Sequence, residues 1–145
     1  MEDQLYREQI LEHYKRPHNF GRIEEPDLEF EDTNPFCGDE QQVTIRLGDD
    51  GRVAEVAFEG QGCAISTAAT SLLTDELVGK SREELLQMPK EFVLELLGIE
   101  ISATRMKCAM LGLKVVKSAG LGKPAEWEDE GEPGDPEAEQ GRDGI

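Results

Sequence analysis

Three cysteines and one aspartate carry the chemistry this sequence could perform. Cys37 and Asp39 stand two residues apart in the stretch Asn34-Pro35-Phe36-Cys37-Gly38-Asp39, Cys63 follows Gly60-Gln61-Gly62, and Cys108 follows Arg105-Met106-Lys107. Thiolates are soft metal ligands and good nucleophiles, and a carboxylate is a harder, more exchangeable ligand. Three thiols and one carboxylate meeting at a point would hold a thiophilic metal such as Zn²⁺. Pro35 fixes φ and biases Asn34 towards an extended conformation, and Gly38 permits a turn where a Cβ would clash. The stretch therefore predicts a tight loop from which Cys37 and Asp39 reach one place. The spacing matches neither a zinc finger nor a Cys-x-x-Cys pair, so the residues alone leave open a shared metal site and three unrelated cysteines.

The elements that must position these groups are legible in the hydrophobic pattern. A first helix carries Tyr6, Ile10, His13 and Tyr14 on one stripe, with Leu11 at its edge, and Pro17 ends it. His13 on that stripe reads as a packed histidine, and His18 falls in a turn-forming run, so nothing supports a Cys-His nucleophile pair. Leu28 and Phe30 alternate with acids in a first strand; Val43, Ile45 and Leu47 alternate with Gln42, Thr44 and Arg46 in a second, half-buried one; Ala54, Val56 and Phe58 alternate with Glu55 and Glu59 in a third. Gly48-Asp49-Asp50-Gly51 is a hairpin turn between the last two.

Gly60-Gln61-Gly62 places Cys63 at the start of a helix that runs to about Val78 and stops at Gly79. The peptide dipoles there favour a negatively charged sulfur, although a lone Cys63 would read as a buried structural cysteine. No Gly-Lys-Ser/Thr follows, so the glycines are not a phosphate loop. Ser81 and Glu84 form a capping box for a short helix to Met88, and a second short helix starts at Pro89 and ends at Gly98. The last helix spans about Ser102 to Ala119 with Gly120 as its stop. Met106, Ala109, Met110, Leu113 and Val116 share one apolar face, Cys108, Leu111 and Val115 a second, and Lys107 and Lys114 the polar stripe between. Arg105 and Lys107 are cations that support Cys108 as a thiolate ligand. Three strands joined by short turns make an antiparallel sheet with one face for a core.

Composition narrows the function. The chain has 145 residues, a length that suits one domain with a sizeable core. An odd count of 3 cysteines without close spacing argues against a secreted disulfide scaffold and for a cytoplasmic, reducing setting. No apolar run reaches the roughly 18 residues of a membrane span. The net charge of -17 argues against nucleic acid as a partner and suits basic partners or a salt-rich cytoplasm. Residues 122–145 hold nine acids against Lys123 and Arg142, with several prolines and glycines. That composition predicts an acidic disordered tail behind a folded domain of residues 1–121. It reads as a solvating tail, or more sharply as an arm for a basic partner.

Five stretches carry a resemblance. They are Leu5-Tyr6 through His13-Tyr14, Arg16-Pro17-His18-Asn19-Phe20-Gly21, Asn34 to Asp39, Gly60-Gln61-Gly62-Cys63-Ala64-Ile65-Ser66, and Arg105-Met106-Lys107-Cys108-Ala109. In this order, over about residues 3–119, the chain resembles the iron–sulfur cluster scaffold family of IscU, SufU and the N-terminal domain of NifU. The resemblance implies an α+β fold, a small antiparallel three-stranded sheet packed with helices. It implies Cys37, Asp39, Cys63 and Cys108 around one exposed site that binds Zn²⁺ or a transient [2Fe–2S] cluster. It implies a cysteine desulfurase as sulfur donor and apo iron–sulfur proteins as recipients. Lys107 before the third cysteine is similar to SufU, whereas IscU-type members have histidine there and a Leu-Pro-Pro-Val-Lys motif nearby. The short Gly98–Thr104 connection is instead similar to IscU in length. The resemblance favours a zinc-bearing sulfur acceptor with Cys37 as the accepting thiol. A cluster-building scaffold in which Asp39 is the labile ligand is the alternative, and a structural zinc module the remote one.

Overall fold

Cys63 caps a helix because its extended backbone (φ -74, ψ 172) lets its side chain accept a bond from the Ser66 N–H. That helix, α2 (Ala64–Asp75), packs on four other elements of the fold in the computed structural model, which describes residues 2–34 and 38–125. Before it come α1 (Glu2–Lys15) and three strands, β1 (Leu28–Asn34), β2 (Asp39–Leu47) and β3 (Val53–Gln61). After it come α3 (Arg82–Leu86), α4 (Lys90–Leu97), a 3₁₀ turn (Ala103–Arg105) and α5 (Met106–Leu121). Among the described residues no helix is long and apolar enough to cross a membrane.

The strands form the expected antiparallel sheet in the order β1-β2-β3. Val43, Ile45, Val56 and Phe58 face a core built against α2 and α5 by Ala68, Ala69, Leu72, Leu73, Met110, Leu111 and Leu113. Both apolar faces of α5 are buried, as a helix packed at once on β1, β2, α2, α3 and α4 requires. α1 packs on α2, burying Ile10 and His13 and leaving Tyr14 exposed. The other face of the sheet is crossed by the segment after α1. Asn19 and Gly21 bond Phe58 along the β3 edge, Ile23 N–H donates to Thr44 Oγ1, and Arg46 donates to the Glu24 carbonyl.

Five local expectations need correction. Ala54 does not point inward with Val56 and Phe58: a register irregularity between Arg46 and Leu47 pairs Leu47 with Val53, which takes the buried position and leaves Ala54 exposed. Thr44 is buried because the segment over the sheet roofs it. α2 ends at Asp75, short of Val78, and α3 at Leu86, short of Met88. Gly120 is not the stop of α5 but a buried helical residue against Leu86; the left-handed cap is Gly122, at φ 76. The Ser81–Glu84 capping box is present in full. Of the expected acidic tail, residues 126–145 lie outside the described residues.

Candidate metal centre

The site is built where β1 ends, β2 begins and two helices start. Asn34 and Asp39 are the last cross-strand pair of the β1–β2 hairpin. The Gly38 N–H, at φ 73, returns to the Asn34 carbonyl at 2.8 Å. The alternation that puts Val43 and Ile45 on the core face also puts Gln41 and Asp39 there, and all four are buried. β3 ends at Gln61, paired with Glu40, so Cys63 emerges beside Asp39. Cys108 lies in the first turn of α5, which packs on β1 and β2.

These placements bring Asp39, Cys63 and Cys108 together: one ligand atom from each lies within 4.8 Å of the others. The Cys63 N–H donates to Asp39 Oδ1 at 3.1 Å, and Cys63 Sγ lies 4.0 Å from Asp39 Oδ2. Asn34 Nδ2 faces Cys108 Sγ at 3.9 Å. Each member of one cross-strand pair therefore attends one thiol. Cys37 lies outside the described residues; in the chain it falls two positions before Asp39. Arg105 is exposed in the turn before α5, and Lys107 is half-buried beside Cys108.

Two expectations change here. Asp39 does not belong to a loop: it is the first residue of β2, 1% exposed and hydrogen-bonded to the backbone of Cys63. Its described members are not open surface either: Asp39 and Cys108 are buried, Cys108 at 3% exposed, and Cys63 is half-buried. The cause is close approach. A Cβ on residue 62 would fall 2.7 Å from Asp39 Oδ1, so only glycine there lets the carboxylate settle against the backbone.

Residue types alone did not single out Asn34, Gln41 and Gly62 as parts of the site. The signal for Gln41 was available: extending the β2 alternation two steps towards the N-terminus places it and Asp39 inward. His13 and His18 belong elsewhere. His13 Nδ1 meets Ser71 Oγ at 2.7 Å, two turns along α2 from Cys63, and His18 Nδ1 meets Asp75 Oδ2 at 2.7 Å. Burial, and then the neighbouring His18, hold the proton affinity of His13 below its ordinary value.

Comparison with known proteins agrees with this architecture. The family model described as the NifU-like N terminal domain matches residues 5–122. The chain is 35% identical to the zinc-dependent sulfurtransferase SufU of Bacillus subtilis (strain 168), over 79% of this chain and 88% of that protein. It is 33% identical to the iron-sulfur cluster assembly scaffold protein IscU of Streptococcus pyogenes serotype M1, over 79% of this chain and 82% of the other. Among solved structures, a putative SUF-system scaffold protein from Fervidobacterium islandicum AW-1 superposes with a TM-score of 0.68 at 26% identity, covering 78% of this chain and 94% of that one.

Proposed function

The chain belongs to the NifU-like N-terminal domain family, and from that premise we propose that it works in iron–sulfur cluster assembly as a zinc-bearing acceptor of sulfur from a cysteine desulfurase. The observation that carries this reading is the meeting of Asp39, Cys63 and Cys108 within 4.8 Å. Two thiols and a carboxylate suit Zn²⁺, and Cys37 would supply the fourth ligand of a tetrahedral set. Bound zinc would keep the thiols deprotonated and shield them from oxidation. The name of the Bacillus subtilis relative supports the same reading.

Cys37 is the assigned acceptor. Cys63 is tied into the cap of α2 and Cys108 is buried in α5, whereas Cys37 sits between Pro35 and Gly38 in the sequence. Its thiolate would attack the outer sulfur of the desulfurase persulfide. A new sulfur–sulfur bond forms, the old one breaks, and the desulfurase cysteine leaves as a thiolate, so no oxidant or reductant is consumed.

A second reading has a specific support, since the same thiol-rich donor set suits iron and the Streptococcus pyogenes relative is named a scaffold. Here the four groups carry a [2Fe–2S] cluster as cargo for apo iron–sulfur proteins, and Asp39 is the ligand that releases it. Anaerobic purification with metal analysis and a visible spectrum separates the two. Colourless protein with zinc favours the sulfur acceptor; iron–sulfide charge-transfer absorbance favours the scaffold. In a desulfurase assay the zinc protein should stimulate turnover and Cys37→Ala should not. Stimulation by Cys37→Ala equal to the unmodified chain would remove Cys37 from the acceptor role, and no stimulation by either would leave a structural zinc module.

A further inference from the structure

Behind the metal ligands lies a buried polar group that the chemistry above does not use. Gln41 Nε2 donates to Ser66 Oγ at 2.9 Å and to the Ser66 carbonyl at 3.2 Å. Thr70 Oγ1 donates to Gln41 Oε1 at 2.7 Å, with the Ser66 carbonyl at 3.1 Å. All three residues are buried. An apolar side chain at residue 41 would fill the volume without the cost of desolvating an amide. What it would lack is direction.

The direction is informative. Asp39 and Gln41 are neighbours on the core face of β2, and Cys63 and Ser66 span the first turn of α2. Two rungs therefore join the same strand to the same turn. The first is Asp39 Oδ1 to the Cys63 N–H, and the second is Gln41 to Ser66, whose own N–H holds Cys63 Sγ at 3.5 Å. The first rung uses a carboxylate that is itself a metal ligand, so it changes whenever Asp39 binds or leaves a metal. The second uses none. α5 closes against the same group: a Cβ on Gly112 would fall 2.1 Å from Thr70 Oγ1, so glycine there lets the helix bearing Cys108 reach α2.

We propose that Gln41, with Ser66 and Thr70, is a positioning bracket that holds Cys63 in its ligand place whether or not Asp39 is engaged. This rests on the reading of Asp39, Cys63 and Cys108 as a metal site. It assigns the exchangeable part of the site to one carboxylate and the fixed part to a hydrogen-bonded core beneath it.

The test compares the full chain with Gln41→Met, which keeps the volume and removes the bonds, and with Thr70→Val, which removes one bond without changing shape. Val93→Ala, in α4, serves as a control for general destabilisation. Two quantities are read: zinc affinity by competition with a chromophoric chelator, and the alkylation rate of Cys63 in metal-free protein by peptide mapping. Gln41→Met should weaken zinc binding by about tenfold, the lower range for residues that orient metal ligands, and should speed alkylation of Cys63. Thr70→Val should move both in the same direction by less, and it decides the matter if Gln41→Met does not fold. In an Asp39→Ala background, Gln41→Met should speed alkylation by a larger factor than in the unmodified chain. Unmodified rates and affinities in Gln41→Met and Thr70→Val, or equal shifts in Val93→Ala, would overturn the bracket. If the unmodified chain takes up no zinc, the metal reading falls, and the alkylation comparison still decides whether the bracket holds Cys63.

Discussion

The Asp39 carboxylate rests against the backbone of Gly62, with Oδ1 2.7 Å from where a Cβ on residue 62 would lie. The contact couples the start of β2 to the residue that leads into α2, so it sets the separation of Asp39 and Cys63. Gly62→Ala must push one of them away. Overpacking of this kind costs about 1–3 kcal/mol, and the loss should fall on the site more than on the fold. Zinc affinity should drop by about tenfold or more, with the strands and helices retained by circular dichroism. Unchanged affinity by chelator competition would show that the carboxylate does not need this seat.

Asp39→Ala probes the same carboxylate directly. Of the proposed ligands it is the hard one, and its Oδ1 accepts from the Cys63 N–H, which competes with a metal for the lone pairs of that oxygen. Removing it should slow release of a reconstituted cluster to an apo acceptor, measured by the rise of holo-acceptor absorbance. The variant should also lose stability, because the Cys63 N–H loses its acceptor; Cys63 is half-buried, so the loss should sit near the low end of the range of about 1–3 kcal/mol for a fully buried donor. Faster release than the unmodified chain would contradict the role of Asp39 as the exchangeable ligand.

Much of this arrangement was legible in the residues. Leu28 and Phe30, the turn at Gly48–Gly51, the Ser81–Glu84 box and the position of Cys63 at a helix start all rest on local rules, and local rules placed them correctly. The failures are long-range. Asp39 looked like a loop residue because Pro35 and Gly38 punctuate the chain before it, yet pairing with Asn34 makes it the first residue of a strand. Thr44 looked like a solvent-facing position until the segment around Ile23 covered it. Gly120 looked like a stop because glycine commonly follows a helix, but it lies buried inside α5 against Leu86, and the chain turns left-handed only at Gly122. No pattern within either segment predicts that Gln41 meets Ser66 and Thr70, since that contact depends on how β2 and α2 pack.

Removing the metal should destabilise the chain by an amount that grows with the logarithm of its affinity. Zinc held at about a hundredfold above its Kd adds roughly 2.7 kcal/mol to the folded state. For a domain of this size that corresponds to a Tm roughly 5–10 °C higher. Differential scanning fluorimetry with zinc, and then with excess chelator, measures the difference. Cys108→Ser should abolish most of the zinc-dependent rise, since it removes one of the three donors that meet. A Tm indifferent to zinc in the unmodified chain would mean that these residues do not act as one site.

His13 sets a pH dependence independent of the metal. It is packed by α1 against α2, bonded to Ser71, with the His18 ring 4.2 Å away. Burial first, and the charge of His18 second, lower its pKa from 6.5; Asp75 and Glu12 oppose them with smaller effects. The folded state therefore binds fewer protons than the unfolded chain in the window below 6.5. The full contribution of neutral His13 is present above that value. It is lost as pH falls through the window and stays constant below the lowered pKa of the folded state. Urea midpoints measured from about pH 8 down to about pH 5.5 should fall in the unmodified chain. His13→Gln, which stays neutral and can still bond Ser71, should show a shallower fall over the same range. Because the surface carboxylates are common to both proteins, the difference between the two curves isolates His13, and parallel curves would assign the pH response to other groups.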